Sequence, residues 1–364
     1  MSLAAPVQGK RLPRVGFFRL VAGLALASFA TSAYIDDGPS PDLAAWEVFA
    51  RAVAPAGIPG DRRLEFETWA SDDDLFLQSP PRWPDIGARP APAQCRRDYD
   101  REAAAAAGFP EDACILEDVR RNWGAYRYIV ANNLYSRQGL ARAFQQHLKV
   151  DLPPDSVQVK ADWMPIGEVA KWLHLEQEEV RLIYYTKTVE EDSATTEYAL
   201  VALHLNSKRW KNWLWATFEH SGNAGRCDDI GCHDSFGAAT PDIVPKGQPD
   251  QSYGECQKSV ALMSLFANAG LSPVWLNYCL KGAQVAFTIK DGKPTLLGNS
   301  VIDRINGHVA PSQSSCMTCH GLAGFNSAGE ASDAPPAGAI GRVDPARLDG
   351  YLTSNFVWGV AKAK

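Results

Sequence analysis

Near its C-terminal end the chain reads Cys316-Met-Thr-Cys319-His320. Two thiols three positions apart lie on one side of a helical turn, with an imidazole directly after them. This C-x-x-C-H spacing suits covalent attachment of a c-type haem. Both sulfurs reach the vinyl groups of one porphyrin, and the histidine meets the iron as proximal ligand. Other chemistry of two close thiols has requirements of its own. A redox dithiol belongs in a βαβ setting, a zinc site needs a second ligand pair, and a disulfide across three positions is strained. Here the motif sits between a Ser-rich stretch and a Gly/Ala-rich one. Cys316 and Cys319 are therefore expected to carry the haem and His320 to bind its iron.

Six further cysteines need an account. Cys227-Asp-Asp-Ile-Gly-Cys232-His233 has the C-x4-C-H spacing of a rarer attachment sequence, which would add a second haem with His233 as its ligand. A short-loop disulfide in an acidic, Gly-rich loop is the simpler expectation. Cys95, Cys114, Cys256 and Cys279 fit two more bridges, and local pairing (95 with 114, 256 with 279) is the simplest of the open connectivities.

No histidine or methionine follows His320, so any second axial ligand comes from upstream. The candidates are His204, His220, His233, His308, Met164 and Met263. On a strand, Leu214, Ala216, Phe218 and His220 share one face. His220 is accordingly the expected distal-pocket group, against the plainer role of a core histidine held by a backbone carbonyl. Met263, among Val260, Leu262 and Phe266, reads as core packing.

The first 33 residues carry Lys10, Arg11, Arg14 and Arg19, then an apolar run from Leu20 to Ala30, then Thr31 and Ala33 at the −3 and −1 positions of a cleavage site. That order is a secretory signal peptide. The apolar run is too short to span a hydrocarbon core, and no span is expected after cleavage. Removing the leader lowers the net charge of −6 by its four basic residues, to about −10. Such a chain has no electrostatic case for nucleic acid, and an exported one suits paired cysteines. A periplasmic or secreted location follows.

The elements around these residues point to an α+β fold. Residues 34–150 read as mostly helical, with helices over Pro41–Ala52 and within Arg97–Lys149, the latter including Ile115 to Ile129. Ser79 to Gln94 is Pro-rich and extended. Residues 151–310 form an antiparallel β-rich body, with strands at 157–163, 181–188, 197–206, 213–220 and 274–289 and one amphipathic helix at 255–269 capped by Gly270. Residues 311–364 are the haem-attachment segment, irregular from 321 to 344, with a last strand near 355–360. Asp72, Asp73 and Asp74 read as a solvated acidic turn.

On the strength of the leader, Cys316, Cys319 and His320, the chain resembles bacterial secreted c-type cytochromes with one haem near the C-terminus. It departs from class I cytochromes, whose motif comes early and whose methionine ligand comes late, so that fold is not expected. A C-terminal motif behind a β-rich body is instead similar in arrangement to the cytochrome P460 and cytochrome c′-β group, which implies a five-coordinate iron facing a pocket. No lysine here can be given the haem cross-link of the P460 proteins. The resemblance implies electron transfer or redox sensing with a redox partner protein or small donor. A peroxidase-like or P460-like haem enzyme is the alternative, and a non-haem, disulfide-stabilised binding protein the third reading.

Overall fold

Alternation of apolar and polar side chains along the central strands builds a sheet with two unlike faces. The computed structural model describes residues 39–60, 62–85, 95–191, 194–333, 335 and 338–364. The leader and residues 86–94 of the Pro-rich stretch lie outside the described residues. The strands are β1 (Ala70–Ser71), β2 (Cys95–Arg96), β3 (Ile115–Arg121), β4 (Val157–Pro165), β5 (Thr186–Glu191), β6 (Ala194–Ser207), β7 (Leu214–His220), β8 (Cys232–His233), β9 (Asp242–Ile243), β10 (Tyr278–Gln284), β11 (Gly324–Phe325) and β12 (Leu352–Thr353). The helices are α1 (Pro41–Ala52), α2 (Arg101–Ala106), α3 (Trp123–Ala131), α4 (Arg137–Gln145), α5 (Ile166–Leu173), α6 (Gln177–Ile183), α7 (Val260–Asn268) and α8 (Cys316–Gly321). The main sheet runs β1-β3-β4-β6-β7-β10, wholly antiparallel, with β2 also on β3 and β5 also on β6. Mixed helix and antiparallel sheet make the protein α+β.

One face of this sheet is the apolar core. Leu116, Val159, Ala161, Leu203, Leu205, Ala216 and Phe218 pack there beneath Trp46 and Phe49 of α1 and Leu262 and Phe266 of α7. Helix α1 starts sharply because the Ser40 hydroxyl accepts from Leu43 N at 3.2 Å and Pro41 opens its first turn. Its Trp46 ring meets Phe218 edge-on at 4.9 Å. The opposite face of the sheet is polar and is covered by α3, α4 and the C-terminal segment, whose own cluster includes Trp215, Met317, Phe325 and Val357.

The structure departs from the sequence expectations in several places. Residues 151–310 carry α5 and α6 as well as α7 rather than one helix, and of the strand expected at 274–289 only β10, Tyr278–Gln284, forms. Ile115 to Ile129 is not one helix: β3 ends at Arg121, Asn122 caps α3 through Ala125 N at 3.2 Å, and the helix follows. The three-and-four spacing of Leu116, Val119, Trp123 and Tyr126 bridges a strand–helix junction, and β4 supplies β3 with a complete ladder. Residues 181–188 are likewise the end of α6 and the start of β5. Helix α7 begins at Val260, because Cys256 is tied to Cys279, and Met263 is 45% exposed rather than core. No strand spans 355–360; Asn355 and Phe356 take positive φ, which no strand tolerates. Asp72 is buried and paired with Arg121 and Lys362 rather than solvated.

Candidate functional site

Between the polar face of the sheet and the C-terminal segment lies a cavity of about 590 Å³, lined by Cys316, Cys319 and His320. That volume is within the roughly 300–1,000 Å³ usual for small-molecule and cofactor sites. Its floor is taken from two cross-strand rows of side chains, whose β3, β4 and β6 members and Trp215 line it. One runs Val119, Lys160, His204, Thr217 across β3, β4, β6 and β7; the next runs Arg121, Gln158, Asn206, Trp215 and on to Gln284 of β10.

The motif is fixed to this floor by hydrogen bonds. Gln284 Oε1 accepts from Met317 N at 3.1 Å and Gln284 Nε2 donates to Ser315 Oγ at 2.8 Å. Ser315 caps α8 through Thr318 N, Thr318 Oγ1 donates to Gly341 O at 2.6 Å, and Trp358 Nε1 donates to Cys319 O at 3.1 Å. His320 rests 4.6 Å from the Trp215 ring. Its Nδ1 is 2.9 Å from the Phe356 carbonyl oxygen, which can only accept, so Nδ1 carries the proton and Nε2 keeps its lone pair. Burial pulls the His320 pKa down to about 4, and the imidazole is neutral at neutral pH.

All eight cysteines are described, and six pair off. Cys95–Cys114, Cys227–Cys232 and Cys256–Cys279 have Cα separations of 5.3, 5.0 and 5.9 Å, as bridges require. The local pairings expected from the sequence are those found. Cys316 and Cys319 are left as free thiols. Burial raises Cys316 well above its ordinary pKa and Cys319 to about 11. These are not the low-pKa thiols of a disulfide-exchange motif. Two free thiols, a neutral imidazole with an open Nε2 and indole rings from Trp215 and Trp358 around one cavity form a donor set that fits a thioether-linked haem.

The structure separates the remaining candidates. His204 lines the cavity with His320, and its Nε2 lies 3.2 Å from Asp303 Oδ2, in range for a charge contact but off hydrogen-bonding geometry. Burial would raise Asp303, but facing His204 and the Asn299 N–H bring it below its ordinary value. His308 also lines the cavity, with Nε2 2.7 Å from Asp98 O. His220 does not. Its parity with Leu214, Ala216 and Phe218 was read correctly, but that face is the α1 core, and the cavity is on the other side of the sheet. On the α1 side His220 is 1% exposed and stacks on Tyr184. Its Nε2 donates to Ile183 O and its Nδ1 accepts from Gly222 N. It is a core histidine held by a backbone carbonyl, and the distal assignment is corrected accordingly. Met164 is buried in a separate cluster with Ile166 and Val201. Cys227 and Cys232 are joined to each other, and His233 faces Asp242 at 2.6 Å. The two sulfurs that a second haem would use are thus already spent.

Sequence reasoning missed the polar and charged floor, Arg121, Glu117, Gln158, Lys160 and Asp303, with Asp162 beside it. Its signal was the i, i+2 alternation of Glu117, Val119, Arg121 and of Gln158, Lys160, Asp162. Lys160 Nζ binds Glu117 at 2.7 Å; burial would lower this lysine, but Glu117 and Asp162 hold it above its ordinary pKa. Asp162, whose Oδ2 accepts from Asn306 Nδ2 at 3.1 Å, is pushed up to about 7 by burial. No protein-family model, curated protein or solved structure matches the chain.

Proposed function

We propose that the chain is an exported c-type haem protein, holding one haem through Cys316 and Cys319 with His320 as proximal ligand, and acting in electron transfer or redox sensing. One observation carries this reading: the two cysteines outside the disulfides and the adjacent histidine converge on a single cavity of cofactor size. When bound, the haem supplies the one-electron chemistry. The chain supplies the rest. His320 offers Nε2 to the iron, and its Nδ1–H bond to Phe356 O orients the ring and raises its basicity. Trp215 and Trp358 restrict water on the motif side, and His204 stands on the floor of the cavity.

Three disulfides favour an oxidising compartment, for which the periplasm is our assignment. Among the described residues no helix is long and apolar enough to cross a membrane. The partner is a redox protein or small donor, with a basic surface favoured by the chain's negative charge.

A second reading, a peroxidase-like or P460-like haem enzyme, is favoured by the His204–Asp303 contact inside the cavity, since a paired imidazole can move a proton for a ligand. A pyridine haemochrome assay tests the common premise, with one covalent haem per chain expected. None leaves the non-haem binding protein; two would restore Cys227, Cys232 and His233 as an attachment site. Spectra with and without cyanide, azide or nitric oxide then divide the haem readings. A low-spin spectrum indifferent to them supports electron transfer, and a high-spin, responsive one supports the enzyme.

A further inference from the structure

At one end of the cavity floor two buried N–H donors are served by nothing among the described residues. Arg121 Nε and Gln158 Nε2 are shut off from solvent and have no hydrogen-bond acceptor there. Their side chains belong to residues only 2% and 5% exposed, and both residues line the cavity. They are register partners on β3 and β4, and so neighbours on one sheet face. A lone unserved donor is a local imperfection. Two side by side on a cavity wall describe the place of a missing acceptor.

The charge at this end has the matching sign. Arg121 Nη1 pairs with Asp72, and Lys362 Nζ reaches the same carboxylate at 2.7 Å, so two cations share one anion. The nearby acids are already engaged: Glu117 by Lys160 at 2.7 Å and Arg96 at 3.3 Å, and Asp118 by Arg120 at 2.8 Å. At this end Arg121 and Lys362 thus have only the Asp72 carboxylate between them.

Position supplies the third argument. The row Arg121, Gln158, Asn206, Trp215 crosses four adjacent strands, and Trp215 lies against His320. At about 4.8 Å per strand the row spans roughly 14 Å. Arg121 and Gln158 thus lie on the same cross-strand row as the Trp215 that packs against His320, within reach of a cofactor held there.

We infer that Arg121 and Gln158 form a carboxylate site, and that what they receive is the propionate edge of the bound haem. This rests on the haem reading above. The shared chemistry is a carboxylate on a planar, apolar body; a small free carboxylate is the other possible source.

The test uses the full chain with Cys316→Ser and Cys319→Ser, which cannot form thioethers, titrated with haemin and with haemin dimethyl ester, whose carboxylates are masked. Haemin is expected to bind at least about tenfold more tightly than the ester, as a charge-assisted hydrogen bond would give. Arg121→Gln and Gln158→Leu together in this background should bring the ratio close to one, and Gln158→Leu alone should lower it by part of that. That substitution removes an unserved donor and threatens the fold little; Arg121→Gln, which also frees Asp72, is the supporting variant. Equal affinities for haemin and ester overturn the site, as does a preference that survives both substitutions. Suppression of the preference by millimolar acetate without any contribution from Gln158 would assign the positive charge to free carboxylates and overturn the propionate assignment. The underlying reading is judged separately, on wild-type protein with Arg121 and Gln158 intact. Absence of covalent haem there, with no haemin uptake by the double variant, removes both.

Discussion

The carbonyl oxygen of Phe356 accepts from His320 Nδ1 at 2.9 Å, and Phe356 holds it there from a left-handed backbone, φ 69°, directly after Asn355 at φ 53°. Asn visits this region readily, but a phenylalanine there costs about 1–2 kcal/mol. The surroundings fix them. Asn355 Oδ1 accepts from Leu152 N at 3.2 Å and from Trp213 Nε1 at 3.3 Å, linking the turn to the floor of the cavity through the strand that begins beside Trp213. Local strain here aims the acceptor that sets the tautomer of His320.

Asn355→Ala tests that link. It keeps the backbone demand and removes both contacts, leaving Leu152 N and Trp213 Nε1 without their acceptor. A loss of about 1–3 kcal/mol in unfolding free energy is expected from urea titration. The same variant should shift or broaden the Soret band, because His320 is held less tightly. An unchanged band with lowered stability would confine Asn355 to a purely structural role.

His204 and His220 are separated by the sheet, and their variants should separate as well. His204→Ala removes an imidazole from the cavity and is expected to move the Soret band or the affinity for cyanide. His220→Ala removes a ring from the opposite core, deletes the bonds to Ile183 and Gly222, and should lower stability by roughly 2–4 kcal/mol with no spectral change. A spectral response in His220→Ala and none in His204→Ala would invert the assignment of the two faces.

The placement of His204 and His220 on opposite faces shows what the sequence could carry. The C-x-x-C-H motif and the strands β4, β6 and β7 are local patterns, legible because their spacing is set by the backbone period, whereas the disulfide pairings are only the simplest of the open connectivities. The parity of His220 was legible too. Which face of the sheet holds the cavity was not, since that depends on where the C-terminal segment returns, a contact between residues far apart in the chain. An apolar face looked like the natural home for a haem, whereas α1 and α7 fill it with Trp46, Phe49, Leu262 and Phe266. Arg121 was hidden for a different reason: helical spacing from Leu116 to Tyr126 masked the alternation of β3, and tertiary pairing with β4 decided the matter.

The Cys227–Cys232 bridge should be dispensable for haem. Replacing both with Ala is expected to leave the haem-to-protein ratio at its wild-type value in the haemochrome assay. Closing so short a loop constrains the unfolded chain by roughly 2 kcal/mol, and a loss of that order in unfolding free energy is expected. A fall in haem content at unchanged folded yield would contradict the single-site arrangement.

Two buried groups make opposite contributions to the pH dependence of stability. Burial pulls His220 down to about 3 from an ordinary 6.5. Between those values the unfolded chain binds a proton that the native one refuses. Its contribution is therefore full above about 6.5 and is lost as pH falls toward 3, at up to about 1.4 kcal/mol per pH unit. Asp162, pushed up to about 7 from 3.8 by burial, works the other way. The native state holds its proton in that window, so stability from this group is full below about 3.8 and is lost as pH rises toward 7. Between about pH 4 and 6.5 the two slopes oppose each other. His220→Gln, which can still donate to Ile183 O, should remove the acid loss due to His220, with stability rising on acidification relative to wild type. Asp162→Asn should do the reverse and steepen the acid loss. Urea unfolding of the three proteins at about pH 4.5, 5.5 and 6.5 reads both differences, and parallel curves for all three would show that neither group titrates across the folding transition.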